Sequence, residues 1–402
     1  MRVSTIGMAQ ASLNTMLSQQ AVLSQTQLQI ASGNRLLAPS DDPYGAANAL
    51  NMEEKISITE QYEDNVILAK NRLNLEEGIL SNVTLIAQRL NELTVQGKND
   101  TLTKQNRQTI AAEVNQMRDQ LLALANTSDS NGEYLFAGHK GNSKPFTPDG
   151  AGNFIYGGDN GQRRIRIGPA TSLPVGDSGN AVFREIRTGN GTFRASENAA
   201  NTGTGVVFAN TVVGTYVPDN YTVTFAAPAI AGNPPDYTVT DSGGGVVTAG
   251  TYANDSAISF NGHQLTIKGT PQPGDRFLAE PSPNQDLFKT VQDFADALVM
   301  DTSTPTAKAV YHNALTRVSE NLNLAMDNVF EKRSEVGARL NTIDKQEVIN
   351  ETFMVQMKTS LSSIKDLDYA EAITTLNLQM TGLQAAQQSY SKIQGLSLFN
   401  YL

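Results

Sequence analysis

The sequence predicts an α+β chain of several parts: a long antiparallel α-helical bundle or coiled coil formed by both chain ends, with an inserted β-rich outer domain. The positions of glycine and proline carry this prediction. Of the 32 glycines, 23 lie between Gly138 and Gly274, and 12 of the 15 prolines lie between Pro145 and Pro283. Both residues break helices, so long helices fit the two flanks and strands fit the middle.

The same pattern divides the chain into five segments. We predict an N-terminal assembly helix in residues 1–40, a long helical hairpin in residues 41–139 and an inserted β-rich surface domain in residues 140–283. Long helices of the helical body are expected in residues 284–365, and a C-terminal assembly helix in residues 366–402.

Apolar residues recur with heptad spacing near both chain ends, which predicts helices that pair along a seam. In a helix predicted from Ala9 to Ser32, one seam carries Ala9, Met16, Leu23 and Ile30, and the other carries Leu13, Gln20 and Gln27. In a helix predicted from Tyr369 to Gln394, the seams are Tyr369, Leu376, Leu383 and Tyr390, and Ile373, Met380, Gln387 and Gln394.

Charge is nearly absent from the two ends. The first 40 residues carry only Arg2 and Arg35, and Lys392 is the only charged residue from Ala372 onward. A free surface helix normally carries a charged face, whereas these helices carry Gln, Ser, Thr and Asn. Mobile polar tails are one interpretation. The sustained heptads favour another: the two helices pair and become ordered in a crowded, largely uncharged environment when subunits assemble.

Two long helices are predicted between the ends and the middle. Asp42 is the expected N-cap of the first and Pro43 its first residue; acid–base chemistry by the neighbouring carboxylates of Asp41 and Asp42 is the less favoured interpretation. This helix runs without proline to about Gly97. A further helix, over residues 103–126, folds back on it as an antiparallel hairpin.

The middle of the chain predicts strands and turns. Residues 221–225 alternate between apolar side chains and threonine, as in a half-buried strand. Asn261-Gly262 predicts a hairpin with a type I′ turn. Helices are expected to resume at Asn284, and Pro305 begins a second long helix that runs to about Leu361.

Composition excludes several classes of function. The net charge is −10 and the pI about 4.9, and no stripe of Lys and Arg is present, so nucleic acid and an anionic membrane surface are not expected partners. The chain has no cysteine, which excludes disulfides and thiolate metal sites. No apolar run approaches the roughly 20 residues that span a bilayer, and the N-terminus lacks the apolar core of a signal peptide.

No catalytic or cofactor motif accompanies these features. The three histidines, His139, His263 and His312, lie far apart in the sequence. A zinc-protease helix motif, a phosphate-binding loop and a nucleophile elbow are all missing. We therefore predict no enzyme activity, no cofactor and no metal site.

Several motifs resemble the flagellin superfamily. The segment 27–43, QLQIASGNRLLAPSDDP, is similar to its N-terminal signature, and the matching residues are Ser32, Gly33, Arg35, Ser40, Asp41, Asp42 and Pro43. Further resemblances are EYLFAG at 133–138, DYAEAI at 368–373 and LQAAQ at 383–387. The Ser-Asp-Asp-Pro form and the ending SLFNYL at 397–402 resemble the hook–filament junction branch, hook-associated protein 3, rather than flagellin.

The resemblance implies a structural, extracellular subunit of the bacterial flagellum. Such a subunit leaves the cell unfolded through the type III export channel, without a cleaved signal peptide, after being held by a dedicated chaperone. Outside, it self-associates in a ring between the first hook–filament junction protein, on the hook side, and flagellin, on the filament side. Its terminal coiled-coil helices are expected to line the inner core of the tube.

The assembly interface is expected at the apolar seams. Its predicted residues are Leu13, Met16, Leu23, Ile30, Ile373, Leu376, Met380, Leu383 and Tyr390. Two alternatives remain at this stage. One is flagellin itself, the bulk filament subunit. The other is a glycan-binding or enzymatic module in the inserted domain, which lacks any His, Glu or Cys constellation to support it.

Overall fold

The protein is represented by a computed structural model that describes residues 5–150, 152–228, 230 and 232–395. Backbone contacts divide the chain into two compact units. We refer to residues 1–65 with 345–402 as the terminal unit, and to residues 66–344 as the central unit. The predicted fold class is confirmed, because helices from both chain ends pair and a β-rich region is inserted between them.

The helices match the sequence pattern closely. Those of the described residues are α1 (Thr5–Ser32), α2 (Pro43–Gly97), α3 (Lys104–Ala125), α4 (Gly179–Phe183), α5 (Leu287–Leu298), α6 (Pro305–Lys365) and α7 (Tyr369–Gly395). The predicted helix start at Asn284 is wrong. Asn284 and Gln285 pair as a short strand with residues 186–187, and α5 begins after Asp286, whose carboxylate accepts the Lys289 N–H at 2.6 Å.

N-cap side chains explain where two helices start, and the one at Asp42 was predicted. The Asp42 carboxylate accepts the Gly45 N–H at 2.9 Å, directly before Pro43 opens α2. Thr103 caps α3, because its hydroxyl accepts the Asn106 N–H at 3.2 Å. These bonds satisfy backbone donors that have no partner inside the helix.

The middle of the chain forms strands, as predicted. They are β1 (Phe146–Pro148), β2 (Phe154–Tyr156), β3 (Arg164–Arg166), β4 (Ser172–Pro174), β5 (Ile186–Arg187), β6 (Phe193–Glu197), β7 (Val206–Val212), β8 (Tyr221–Ala226), β9 (Asp236–Thr240), β10 (Val246–Thr251), β11 (Ala257–Phe260), β12 (His263–Lys268), β13 (Arg276–Pro281) and β14 (Asn284–Gln285).

Two antiparallel sheets make up most of the β-rich region. One has the strand order β10-β9-β8-β13-β6 and the other β11-β12-β7. The predicted hairpin is confirmed: Asn261 and Gly262, at φ of 41° and 83°, connect β11 to β12. Left-handed backbone at both positions is what a type I′ turn requires.

Two apolar cores lie in the central unit. The larger packs α2, α3, α5 and α6 around aromatic side chains, with the Phe288 ring 4.9 Å from Phe146 and 5.6 Å from Phe183. The predicted apolar stripe of α2 belongs to it, since Val66 and Leu73 are fully buried. The smaller core lies within the sheets.

Polar contacts fix the sheets to α6 within the central unit. Asn313 of α6 accepts the Val207 N–H at 2.8 Å and donates to the Gly205 carbonyl at 3.1 Å. Arg317 forms an ion pair with Glu197 of β6. Asn313 is buried, so these bonds replace the water that its amide would otherwise require.

Candidate assembly interface

Helices α1 and α7 pack against each other in the terminal unit. On α1, Ala9, Met16, Leu23 and Ile30 are half-buried at the predicted heptad step. The predicted second seam is wrong by one residue, because Leu13, Gln20 and Gln27 are exposed and Ser12, Gln19 and Thr26 face inward instead. Small and polar side chains therefore alternate with large apolar ones along this helix.

Helix α7 shows the same pattern. Leu376, Leu383 and Tyr390 are half-buried, whereas Tyr369 is about half exposed. The second seam is again displaced, because Ala372, Gln379 and Ala386 face inward while Ile373, Met380 and Gln387 are exposed. The side chain of Gln394 and the residues 397–402 lie outside the part that the structure describes.

The two helices are antiparallel with a defined register. Gln19 lines one cavity with Gln379, and Thr26 lines another with Ala372. The side-chain oxygens of Gln19 and Gln379 are both buried without a hydrogen-bond partner. A buried acceptor without a partner costs about 1–3 kcal/mol, so the pair carries a weak point at its middle.

The outer surface of the α1–α7 pair is nearly uncharged and exposes large apolar side chains among polar ones. Three predicted interface residues lie on it: Leu13 is 40% exposed, Ile373 49% and Met380 43%. Other large apolar side chains on the same two helices are also exposed, namely Met8, Leu17, Val22, Leu28 and Leu378. The predicted interface residues thus fall into a half-buried group within the pair and an exposed group outside it.

The signature segment, residues 27–43, lies at the base of this helix pair, where α1 ends and α7 begins. Gly33 ends α1 at φ 73°, a conformation that favours glycine. A Cβ there would lie 3.0 Å from the Tyr369 hydroxyl oxygen. The following residue, Asn34, pairs with Asp366 in an antiparallel bridge. The turn after α1 therefore lies directly against the turn after α6.

Arg35 joins these two turns through both its backbone and its side chain. Its N–H donates to the Lys365 carbonyl at 2.8 Å. Its guanidinium donates to the Ile364 carbonyl from Nη2 at 2.7 Å and from Nε at 3.1 Å. Gln29 donates in turn to the Arg35 carbonyl at 2.7 Å. The sequence pattern singled out Arg35 as one of two early charges, but its partners are more than 300 residues away.

The remaining signature residues shape the turn before α2. The Asp41 carboxylate accepts the N–H groups of Leu37 and Ala38 at 3.2 and 3.0 Å. Ser40 is exposed within this turn, and the Ser32 hydroxyl donates to the Gln29 carbonyl at 3.3 Å. With Asp42 acting as the cap of α2, both carboxylates serve backbone donors.

A buried charge cluster, which no motif in the sequence indicated, lies in the central unit. The guanidinium of Arg339 in α6 donates two hydrogen bonds to the Asp177 carboxylate, at 2.9 and 3.0 Å. The Asp177 N–H donates to Glu76 Oε1 at 3.0 Å. Burial, reinforced by the nearby Asp177 charge, raises the pKa of Glu76 to about 8. Glu76 Oε2 and Arg72 Nε are buried without a partner.

Other kinds of site find little support. Across the described residues, no group of three or more His, Cys, Asp and Glu side chains is arranged to hold a metal ion. No helix in that same part of the chain is long and apolar enough to cross a membrane.

Both ends of the chain match models of the flagellin family. Residues 3–141 match the bacterial flagellin N-terminal helical region, and residues 320–402 match the bacterial flagellin C-terminal helical region. Over almost the whole chain, the sequence is similar to flagellar hook-associated protein 3 of Escherichia coli (strain K12). The two are 26% identical over 399 residues, which is 99% of each chain.

Two crystal structures share the fold. FlgL of Xanthomonas campestris is 34% identical with a TM-score of 0.72, and the match covers 77% of this chain and 99% of that one. Flagellar hook-associated protein-3 of Legionella pneumophila is 32% identical with a TM-score of 0.75, over 78% of this chain and 98% of that one. The chain belongs to the flagellar hook-associated protein 3 family, a group of structural proteins within the flagellin superfamily.

Proposed function

We propose that this chain joins the hook to the filament of the bacterial flagellum, and that the α1–α7 pair is the part that assembles. The observation that carries the proposal is the outer surface of that pair, where Leu13, Ile373 and Met380 are exposed on helices that have almost no charge. Exposed large apolar side chains on a surface with few charged residues are typical of a protein–protein contact. Near-full-length similarity to hook-associated protein 3 favours the junction over flagellin.

The energetics explain why neighbouring subunits are needed. Burial of one large apolar side chain stabilises a structure by roughly 1.5–3 kcal/mol. Ordering a residue costs about 1–2 kcal/mol. In one chain, Met16, Leu23 and Leu383 are only half-buried, so the two terms nearly cancel. A neighbouring subunit that covered Leu13 and Met380 would shift the balance toward ordered helices.

The partners follow from this role. Copies of the chain would form a ring through their terminal helices, with the first hook–filament junction protein on one side and flagellin on the other. Before export, a dedicated chaperone would cover the same uncharged, apolar ends. Support for these partners comes from the resemblance and from the chemistry of the exposed residues.

Deletion of residues 381–402 tests the proposal. The deletion removes Leu383 and Tyr390 from the seam but leaves the central unit intact, so we expect a folded, soluble chain that cannot join hook to filament. Motility and electron microscopy of cells that carry only the truncated form provide the measurement. Normal swimming of such cells would overturn the assembly role.

Immuno-electron microscopy of the full chain separates the junction from the filament. Label at one point between hook and filament is the expected result. Label along the whole filament would show that the chain is instead the bulk filament subunit.

A further inference from the structure

We propose that the two paired turns at the base of the terminal helices, joined by Arg35, nucleate the α1–α7 pair and set its register. We name this element the turn staple; it consists of residues 33–35 and 364–367. The inference concerns the free chain and does not depend on any flagellar partner, so its test and the test of the proposed function can fail separately.

The staple is built mainly from backbone bonds. The Leu367 N–H donates to the Gly33 carbonyl at 3.0 Å, and the Arg35 N–H donates to the Lys365 carbonyl at 2.8 Å. These two bonds make up the antiparallel bridge between Asn34 and Asp366, which is a short ladder between two turns. Such a ladder fixes the positions of the last residue of α1 and the first residue of α7.

The Arg35 side chain places a positive charge beside this ladder, at the C-terminal end of α6. The last carbonyls of α6 have no partner inside the helix. A cation at that end is also favoured by the helix dipole. The Arg35 guanidinium meets both needs, since two of its nitrogens donate to the Ile364 carbonyl. Charge-assisted bonds of this kind are stronger than neutral ones.

The start of α7 is fixed just as tightly. Only Asp366, Leu367 and Asp368 separate α6 from α7. The Asp368 carboxylate accepts the Ala370 N–H at 2.9 Å, which caps the new helix. A three-residue link with a cap at its end leaves α7 little freedom in direction.

The helix pair needs such a base because its own seam is weak. Every second layer contains small or polar residues, and the Gln19 and Gln379 oxygens have no partner. The first turn of contact is the costly step in forming a helical structure. If the staple provides that first contact, each following layer of the α1–α7 seam forms next to residues that are already ordered. The staple then prevents the two helices from pairing one heptad out of register.

Disulfide trapping in the free, full-length chain tests this inference. The chain has no cysteine, so each introduced pair is its only pair of thiols. Gln19→Cys with Gln379→Cys reports the native register, because both residues line one cavity. Gln19→Cys with Ala386→Cys reports a slip of one heptad. Oxidation by glutathione disulfide traps either pair even when it forms only part of the time.

With Arg35 present, we expect the native pair to form at least about tenfold faster than the slipped pair. In the Arg35→Met background, we expect the ratio of the native-pair rate to the slipped-pair rate to fall roughly tenfold. This is the effect expected for the loss of one charge-assisted hydrogen bond. Arg35→Lys, which keeps the charge but not the two-nitrogen geometry, should restore part of it.

Lys392→Met is the matched control, because it removes one positive charge from the exposed surface of α7. It should leave the ratio unchanged. The inference is overturned if Arg35→Met keeps the full preference for the native register, or if the chain with Arg35 shows no preference at all. Unchanged melting of the central unit in every variant verifies that the effect is local.

Discussion

The central and terminal units bury their side chains to very different degrees. In the central unit, Phe136, Leu73 and Phe288 have no exposed surface. In the described part of the terminal unit, the best-buried apolar side chains, such as Met357 and Ala372, remain 7% exposed. The central unit has the interior of an ordinary globular domain, whereas the described residues of the terminal unit form seams between helices without a comparable interior.

Side-chain atoms buried without a partner occur in both units, and those of the central unit belong to Arg72, Glu76 and His263. Among the described residues, three of the side-chain atoms buried without a partner belong to the terminal unit: the oxygens of Gln19, Glu63 and Gln379. Burial raises the pKa of Glu63, with the charges of Glu347 and Glu351 acting in the same direction. From the difference in apolar burial, we infer that the central unit is stable by itself, which agrees with the proposal that neighbouring subunits complete the terminal unit.

Phe288→Ala should produce the largest loss of stability. The ring is fully buried among other aromatic rings, and truncation of such a side chain costs about 3–5 kcal/mol. Denaturant unfolding of the central unit measures the loss. Leu378→Ala, at an exposed position of α7, is the control and should change the unfolding free energy by less than about 0.5 kcal/mol. Equal effects at the two sites would remove the contrast between the units.

Glu76→Gln should change the pH dependence of stability. The pKa of Glu76 is about 8 in the folded chain and near 4.3 in an unfolded one. The folded state therefore holds a proton that the unfolded state has lost, so the unfolding free energy falls as pH rises from about 4.5 to 8. Gln keeps an acceptor for the Asp177 N–H and has no charge to bury. We therefore expect the variant to be more stable than the parent at pH 8, with the difference shrinking as pH falls toward 5.

Chemical denaturation at several pH values measures this difference. Glu77→Gln is the neighbouring control, because Glu77 pairs with Arg333 while partly exposed. Its stability should follow that of the parent at every pH. A Glu76→Gln curve that runs parallel to the parent between pH 5 and 8 would contradict the prediction.

Thr103→Ala should have a smaller effect. The substitution removes the cap of α3 and exposes the Asn106 N–H, which costs about 1 kcal/mol. Thermal unfolding of the central unit is the measurement. Thr109→Ala lies on the exposed face of the same helix and should cause no loss, since alanine favours the helix. Equal losses at both positions would exclude the cap as the cause.

Leu383→Asp should have the smallest effect on the central unit and the largest on assembly. A carboxylate in the α1–α7 seam is unfavourable because it cannot remain hydrated there. We expect central-unit melting within about 0.5 kcal/mol of the parent, together with loss of the hook–filament joint. Leu383→Met keeps the volume and should assemble normally. A normal joint in the Leu383→Asp strain would show that the seam does not form in the flagellum.

Local signals in the sequence were sufficient for most of the elements. Asp42 and Pro43 mark the start of α2, and the hairpin turn at residues 261–262 follows from Asn-Gly. These features depend on neighbours in the chain, so spacing alone predicts them. The start of α5 was less predictable, because pairing between Asn284 and Arg187 decides it.

The second seam of each terminal helix shows where spacing stops being informative. Leu13 and Ser12 both fit a heptad pattern to within one residue, and hydrophobicity favours Leu13. The structure places Ser12 inside and Leu13 outside. Small and polar layers let the helices approach, and the larger side chains remain available at the surface. The position of the partner helix decides which of the two residues faces inward. The sequence of one helix carries no information about that position.

The sequence by itself determined the helical ends, the β-rich centre, the heptads and the absence of charge at both termini, because each is a property of composition or local spacing. Only the tertiary structure placed Arg35 on the carbonyl of Ile364 and Glu76 beside Asp177. Both contacts join residues about one hundred or more positions apart. The packing of helices and turns in space brings these residues together. Periodicity along the chain does not predict that packing.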